Sequence, residues 1–301
     1  MTGKIYLADN LTILNGLNNG SVDLIYIDPP FNTGRNQKRT QIKTKRTPQG
    51  DRIGFGERRY ETVKIGTKEY IDIFQNSDEY LAFLESRLEE AYRVLKSDGT
   101  LYFHIDYREV HYCKVLLDQI FGRQSFLNEL IWAYDYGGRT KKKWPPKHDN
   151  ILVYVKNPER YVFNIDAIDR IPYMAPGLVG TEKAKRGKLP TDTWWHTIVA
   201  TNGREKTGYP TQKPLGIINR IILASSNPGE LVLDFFAGSG TTGISCFNLK
   251  RDFVLVDNNP QALQVMARRF PCQSDIEWFG FDPSPYRQMD PKSGGKHLPG
   301  F

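Results

Sequence analysis

Along most of the chain, short apolar runs alternate with segments whose apolar residues recur every three to four positions. Lys4–Ala8 reads as a strand closed by Asp9-Asn10, and Leu11–Leu17 as a helical turn stopped by Asn18-Asn19-Gly20. Val22–Ile27 (VDLIYI) is a nearly continuous apolar run, the mark of a parallel strand covered on both faces. The prolines of Asp28-Pro29-Pro30-Phe31 end its ladder pairing. Residues 35–75 are basic, show little apolar periodicity and read as a long loop. Order resumes with a helix capped by Asp78, a turn at Ser97-Asp98-Gly99, a strand at Thr100–Ile105, a helix from Glu109 to Phe121, and strands at Leu127–Tyr134 and Ile151–Val155. After a looser stretch from about 137 to 209, the pattern predicts helix Pro214–Ser225, strand Glu230–Phe235, helix Thr241–Leu249, strand Phe253–Asp257 and helix Pro260–Phe270. Strand and helix in alternation argue for a parallel α/β sheet.

Composition changes this picture little. Of 301 residues, 39% are hydrophobic and 25% charged, enough for a real core and against global disorder. No run approaches the length needed to cross a bilayer, and the first residues lack a secretory signal, so neither a membrane nor an export route is expected. Three scattered cysteines suit neither a disulfide scaffold nor a zinc site and point to a reducing cytosol. His111, His148 and His196 lack ligand spacing, so no metal site is expected. The net charge of +7 is compatible with a polyanionic partner, and its placement says more than its size. Arg35, Lys38, Arg39, Lys43, Lys45 and Arg46 follow the DPPF turn directly, and Arg139, Lys141, Lys142 and Lys143 open the loose stretch. Two basic patches flanking one site favour phosphate contacts.

Two local patterns carry chemistry. In LVLDFFAGSGTTG (231–243) a buried strand enters a glycine turn and a helix follows, which lets backbone approach a ligand closely. The next strand ends in Asp257, placed to accept hydrogen bonds from ribose hydroxyls. Gly238, Gly240 and Gly243 also satisfy G-x-G-x-x-G, so this motif leaves a dinucleotide site open. The DPPF turn favours another reading. The Asp28 carboxylate and the Pro29 carbonyl can both accept from one exocyclic amine, while Phe31 stacks on the ring that bears it. A nicotinamide-dependent oxidoreductase would leave that turn unexplained.

Up to about residue 270 the chain resembles the beta-type amino-methyltransferases of DNA that use S-adenosylmethionine. Its markers are Ala8-Asp9-Asn10, DPPFNTG at 28–34, the run from Thr211-Gln212-Lys213-Pro214 through Gly243, and FVLVDNNP at 253–260. The resemblance implies a Rossmann-like, mostly parallel seven-stranded sheet. It divides the chain into a catalytic half (1–136, with loop 35–75), a target-recognition insert (137–209, including the sheet strand near 151–155), a cofactor half (210–280) and a loosely ordered tail (281–301). It implies that Asp28, Pro29 and Phe31 hold a flipped base, with Pro30 shaping the loop. S-adenosylmethionine would meet Asp9, Asn10, Thr211, Gln212, Lys213, Asp234, Phe236, Gly238, Gly240, Thr241 and Asp257.

The reaction implied is methylation of adenine N6 at a specific site in double-stranded DNA, with Asp rather than Ser at position 28 favouring adenine over cytosine N4. An RNA methyltransferase and an inactive DNA-binding subunit are the further rivals. A second copy of the chain and a cognate restriction enzyme are the other partners implied, in the cytoplasm of a prokaryote or phage-infected cell and on the nucleoid when bound to DNA. Phe31 departs from the family's commoner Tyr, and the insert carries no pattern that maps onto a DNA sequence. Pro271-Cys272-Gln273 mimics a cytosine-C5 nucleophile but ends a predicted helix, and Cys272 reads as a packing residue.

Overall fold

A computed structural model describes residues 2–32, 37–46, 52–53, 59–70, 74, 76–200, 202–271 and 275–287, with the backbone only of 37–46, 52–53 and 59–70. The elements in chain order are β1 (Gly3–Leu7), α1 (Asn10–Gly16), β2 (Val22–Ile27), β3 (Gln37–Arg46), β4 (Arg52–Ile53), β5 (Arg59–Tyr70), α2 (Ser77–Val94), β6 (Leu95–Ile105), α3 (Val110–Phe121), β7 (Phe126–Ala133) and β8 (His148–Val155). They continue with α4 (Thr181–Arg186), β9 (Thr193–Trp195), α5 (Leu215–Ser225), β10 (Leu231–Asp234), α6 (Thr241–Leu249), β11 (Asp252–Asp257), α7 (Pro260–Arg269), β12 (Ile276–Phe279) and α8 (Ser284–Arg287).

One sheet runs β12-β1-β11-β10-β2-β6-β8-β7-β9. Every neighbouring pair is parallel except the two that β8 makes with β6 and β7. The expected seven strands are its core, and the short β12 and β9 extend its two edges. Helices cover both faces, as parallel sheets require. Along β2 the side chains alternate between the two layers. Leu24 and Tyr26 join the cluster that includes α5, α6 and α7, whereas Ile25 and Ile27 join the one under α1, α2 and α3. The predicted turn at 97–99 lies within β6 as a bulge, where the register jumps between Val22↔Leu95 and Leu24↔Thr100.

Two local expectations are corrected. Helix α2 is capped by Asn76, whose Oδ1 accepts from the Glu79 amide at 2.8 Å, while Asp78 sits in the first turn. The segment read as a loop holds a separate antiparallel sheet, ordered β3-β5-β4. Its strands are too polar to register as apolar alternation, yet Thr40, Ile42 and Thr44 recur with period two, as β-branched residues do in strands. Among the described residues no helix is long and apolar enough to cross a membrane.

Gly240 caps α6 in the left-handed region (φ +73°), and a Cβ there would lie 2.7 Å from Cγ of buried Met266 on α7. Gly240→Val therefore combines backbone strain with overpacking, and a loss of about 2–4 kcal/mol of stability is expected. Thermal melts check this against Gly16→Ala, where a Cβ meets nothing within 4 Å.

Candidate active site

The ends of β1, β2, β10 and β11 converge at the carboxyl edge of the sheet, where open α/β folds bind ligands. A cavity of about 600 Å³ opens there, in the size range of small-molecule sites. It brings together Asp9, Asn10, Asp28, Pro29, Pro30, Phe31, Thr211, Gln212, Lys213, Asp234, Phe236, Gly238 and Asp257. The two motifs, some two hundred positions apart in sequence, thus share one chamber.

On one side lies the DPPF turn. Tyr80 of α2 donates its hydroxyl to the Pro30 carbonyl at 2.8 Å, and Asn32, at φ +51°, donates its amide to Glu109 Oε1 at 3.0 Å. These two bonds hold the loop on the C-terminal side of the diproline. Lys213 Nζ pairs with Asp28 Oδ2 and lies 5.0 Å from the centre of the Phe31 ring. The second carboxylate oxygen, Oδ1, is buried and has no hydrogen-bond partner among the described residues.

Behind Phe31 runs a buried polar chain. Burial raises the carboxyl of Asp149, but hydrogen bonds from His104 and Tyr134 and the nearby positive charge of Lys213 outweigh it, and the group stays ionised below the usual carboxylate range. An ionised Asp149 can only accept, so His104 donates through Nε2 to Asp149 Oδ2 at 3.2 Å. His104 Nδ1 then accepts from the Tyr26 hydroxyl at 2.8 Å, a phenol that burial and the nearby charge of Asp28 hold protonated. Tyr134 donates to Asp149 Oδ1 at 3.0 Å, and Tyr26 faces the cavity.

The other side is built from the glycine turn. Burial pushes the Asp234 carboxyl up to about 7, against donors from the Phe236 amide at 3.0 Å and the Thr242 hydroxyl at 2.6 Å. Burial likewise pushes Asp257 up to about 6, although it accepts from the amides of Gly238 at 2.7 Å and Asn259 at 2.8 Å. Gly238 takes φ +50°, and a Cβ there would come within 3.3 Å of Tyr209. Asn10 donates to the Phe235 carbonyl at 2.9 Å, and Arg87 of α2 clamps Asn10 Oδ1 at 2.6 Å and Asp9 Oδ2 at 3.1 Å. Gln212 is spent on folding its own loop, accepting from the Thr207 amide at 2.9 Å and donating to the Glu205 carbonyl at 2.7 Å.

Several expectations change. Gly240 and Thr241 are not on the cavity wall: Gly240 is committed to Met266, and the Thr241 hydroxyl donates to the Lys213 carbonyl at 3.2 Å. Ser239 and Thr242 line the cavity beside them. Lys213, expected on the cofactor side, reaches Asp28. Arg139, Lys141, Lys142 and Lys143 are exposed between β7 and β8, at the sheet edge that carries the cavity. Arg35 and Cys272 lie outside the described residues, as do the side chains of Lys38, Arg39, Lys43, Lys45 and Arg46. Arg87, Tyr26 and Asp149 were missed as site residues, whereas His104, which ends a strand on the same sheet edge as Asp28, is legible as a pocket neighbour. Arg87 carries no sequence signal, whereas Tyr26 could be placed from its position two residues before Asp28 on β2.

The fold and the cavity together define a Rossmann-type group-transfer enzyme. One wall is suited to a nucleoside-bearing donor, and the facing wall presents a carboxylate and an aromatic ring to a planar amine. The chain belongs to the DNA methylase family, whose model matches residues 22–268. It is 31% identical over 282 residues to the type II methyltransferase M.HpaI of Haemophilus parainfluenzae, covering 94% of this chain and 77% of that protein. It is 29% identical over 280 residues to the DNA adenine methyltransferase YhdJ of Escherichia coli K12, covering 89% and 82%. Its fold matches the cytosine-N4-specific PvuII DNA methyltransferase with TM-score 0.63 at 16% identity (95% and 90% covered). It also matches M1.HpyAVI, solved with SAM, with TM-score 0.56 at 22% identity (89% and 98% covered).

Proposed function

We propose that the protein transfers a methyl group from S-adenosylmethionine to N6 of an adenine in double-stranded DNA. The observation that carries this reading is the shared chamber, with Asp28 and Phe31 on one wall and Asp234, Gly238 and Asp257 on the other. These residues fit the cofactor. Asp257 presents an acceptor on the cavity wall suited to ribose hydroxyls, and Gly238 keeps the wall free of a side chain. When bound, the cofactor supplies an electrophilic methyl group on a positively charged sulfur.

The chain's own residues do the rest. A base stacked in a duplex hides its amine, so it must swing out into the chamber. Phe31 then offers a stacking face, and Asp28 accepts from the amine, aiming the nitrogen lone pair at the donor. The new N–C bond would form as the methyl's bond to the sulfonium sulfur breaks, leaving a neutral thioether, and Asp28, which accepts from that amine, is placed to take the departing N6 proton. The kinship to a protein named an adenine methyltransferase and the carboxylate at position 28 support adenine over cytosine.

Within the same proposal, residues 137–209 read the target sequence. A second copy of the chain and a cognate restriction enzyme are its partners, and the bound protein resides on the nucleoid. Kinship to type II methyltransferases supports the restriction partner. Replacing Arg139, Lys141, Lys142 and Lys143 together by alanine is expected to make the slope of log affinity against log salt shallower by about 3–4, at about 0.9 for each phosphate no longer neutralised. Fluorescence anisotropy on a labelled duplex measures that slope.

The reaction itself is tested by incubating the protein with unmethylated DNA and methyl-labelled S-adenosylmethionine, digesting to nucleosides and identifying the labelled one by mass. Label in N6-methyl-2′-deoxyadenosine is expected. Label in N4-methyl-2′-deoxycytidine would overturn the base, and labelling of RNA in preference to DNA would overturn the substrate. Cofactor binding without label on either would leave a non-catalytic DNA-binding subunit.

A further inference from the structure

The Asp28 carboxylate is the one group that must meet the incoming amine, yet one of its oxygens is already engaged. Lys213 stands 185 positions away in sequence, immediately before α5, and is buried. Its ammonium reaches across the chamber to Oδ2 and approaches the Phe31 ring. Oδ1 is buried and unpaired among the described residues. Burying an ion pair is costly unless its geometry is good and its remaining lone pairs are satisfied, and an unpaired buried acceptor is costly in its own right. A fold that keeps both holds an acceptor short of a donor.

We infer that Lys213 is a positioning residue of the acceptor side, holding Asp28 by Oδ2 so that Oδ1 is the oxygen that receives the target amine. This rests on the amine-methylation reading above. The ammonium fixes the carboxylate's rotation about its last bond, which would otherwise be free to turn either oxygen toward the base. Its approach to Phe31 ties that orientation to the ring on which the base stacks. The main chain of Lys213 is fixed in turn, because its carbonyl accepts from Thr241 at the start of α6. The donor-side helix thereby sets where the acceptor carboxylate points, which couples the two walls of the chamber. The same observation moves Lys213 away from the cofactor role that its motif implied.

The test measures cofactor affinity by calorimetry and single-turnover methylation at saturating cofactor and DNA, in Lys213→Met, Lys213→Ala and Lys213→Arg. If Lys213 orients Asp28, Lys213→Met keeps cofactor affinity within about twofold of wild type. Its rate falls by about 100-fold, the scale on which small misplacements act. Lys213→Arg retains more activity than Lys213→Met, and added ethylammonium partly restores Lys213→Ala, as a merely structural residue would not allow. Cofactor binding weakened tenfold or more in Lys213→Met would assign the residue to the donor side and overturn the proposal. So would a rate within threefold of wild type, or no rescue by either arginine or the amine. If wild type labels no nucleic acid base, it is the amine-methylation reading that has failed.

Discussion

Asp28→Ala is expected to lower the methylation rate by about 10³-fold or more while cofactor binding stays close to wild type. The loss corresponds to about 4 kcal/mol of transition-state stabilisation. Asp28 sits at the end of β2, and its carboxylate is engaged by the Lys213 ammonium rather than by the main chain of the fold. The turn that carries it is held by Tyr80 on Pro30 and Glu109 on Asn32, neither of which needs the carboxylate. Truncation therefore removes the acceptor for the amine and leaves the loop in place. Asp28→Asn is the sharper variant. It keeps the shape, but its amide must turn NH₂ either toward the Lys213 ammonium or toward the target amine, a donor against a donor in both cases. A fall of about 10²-fold or more is expected there. Single-turnover rates with labelled cofactor measure both variants, and cofactor calorimetry verifies that the donor wall is intact. An Asp28→Ala protein with more than a tenth of wild-type rate would remove the carboxylate from the mechanism.

Both chemical motifs were legible because each is a strand feeding a turn, and that grammar is local. A buried apolar run closed by Asp-Pro-Pro must end at a sheet edge, and a run closed by Asp-x-x-Ala-Gly must turn into a helix. Assigning roles within a motif needed partners that the sequence does not place. Gly238 and Gly240 look equivalent in G-x-G, but Tyr209 and the cavity face the first and Met266 faces the second. Thr241 and Thr242 differ in the same way, because the turn of α6 points one at the Lys213 carbonyl and the other at Asp234. Lys213 and Arg87 reach the site from distant elements through long side chains, and no spacing rule predicts that reach. The sheet of β3, β4 and β5 was hidden because its period-two signal lies in threonines among charges rather than in apolar residues.

Asp257→Ala is expected to weaken S-adenosylmethionine binding by about 100-fold and to lower thermal stability as well. The carboxylate is the knot between two loops, taking the amide of Gly238 on the glycine turn and that of Asn259, which caps α7. Removing it takes the partner from two part-buried backbone donors, at up to about 1–3 kcal/mol each, and loosens both turns that meet at the cavity wall. The pH dependence isolates the charge from the knot. Burial places the Asp257 carboxyl at about 6 against an ordinary 3.8, so between about pH 4 and 6 the folded protein holds a proton that the unfolded chain has released. Its contribution to folding therefore declines as pH rises through that window. Cofactor binding has the opposite slope. Ribose hydroxyls favour the ionised acceptor, so affinity should fall as pH drops below about 6, by about tenfold at pH 5. Asp234, pushed up to about 7, titrates one step higher, so a change that persists between pH 6 and 8 in Asp257→Ala belongs to it. Calorimetric titrations from pH 5 to 8 on both proteins separate the two. A wild-type profile that stays flat below pH 6 would mean that the hydroxyls are held by something other than the Asp257 charge.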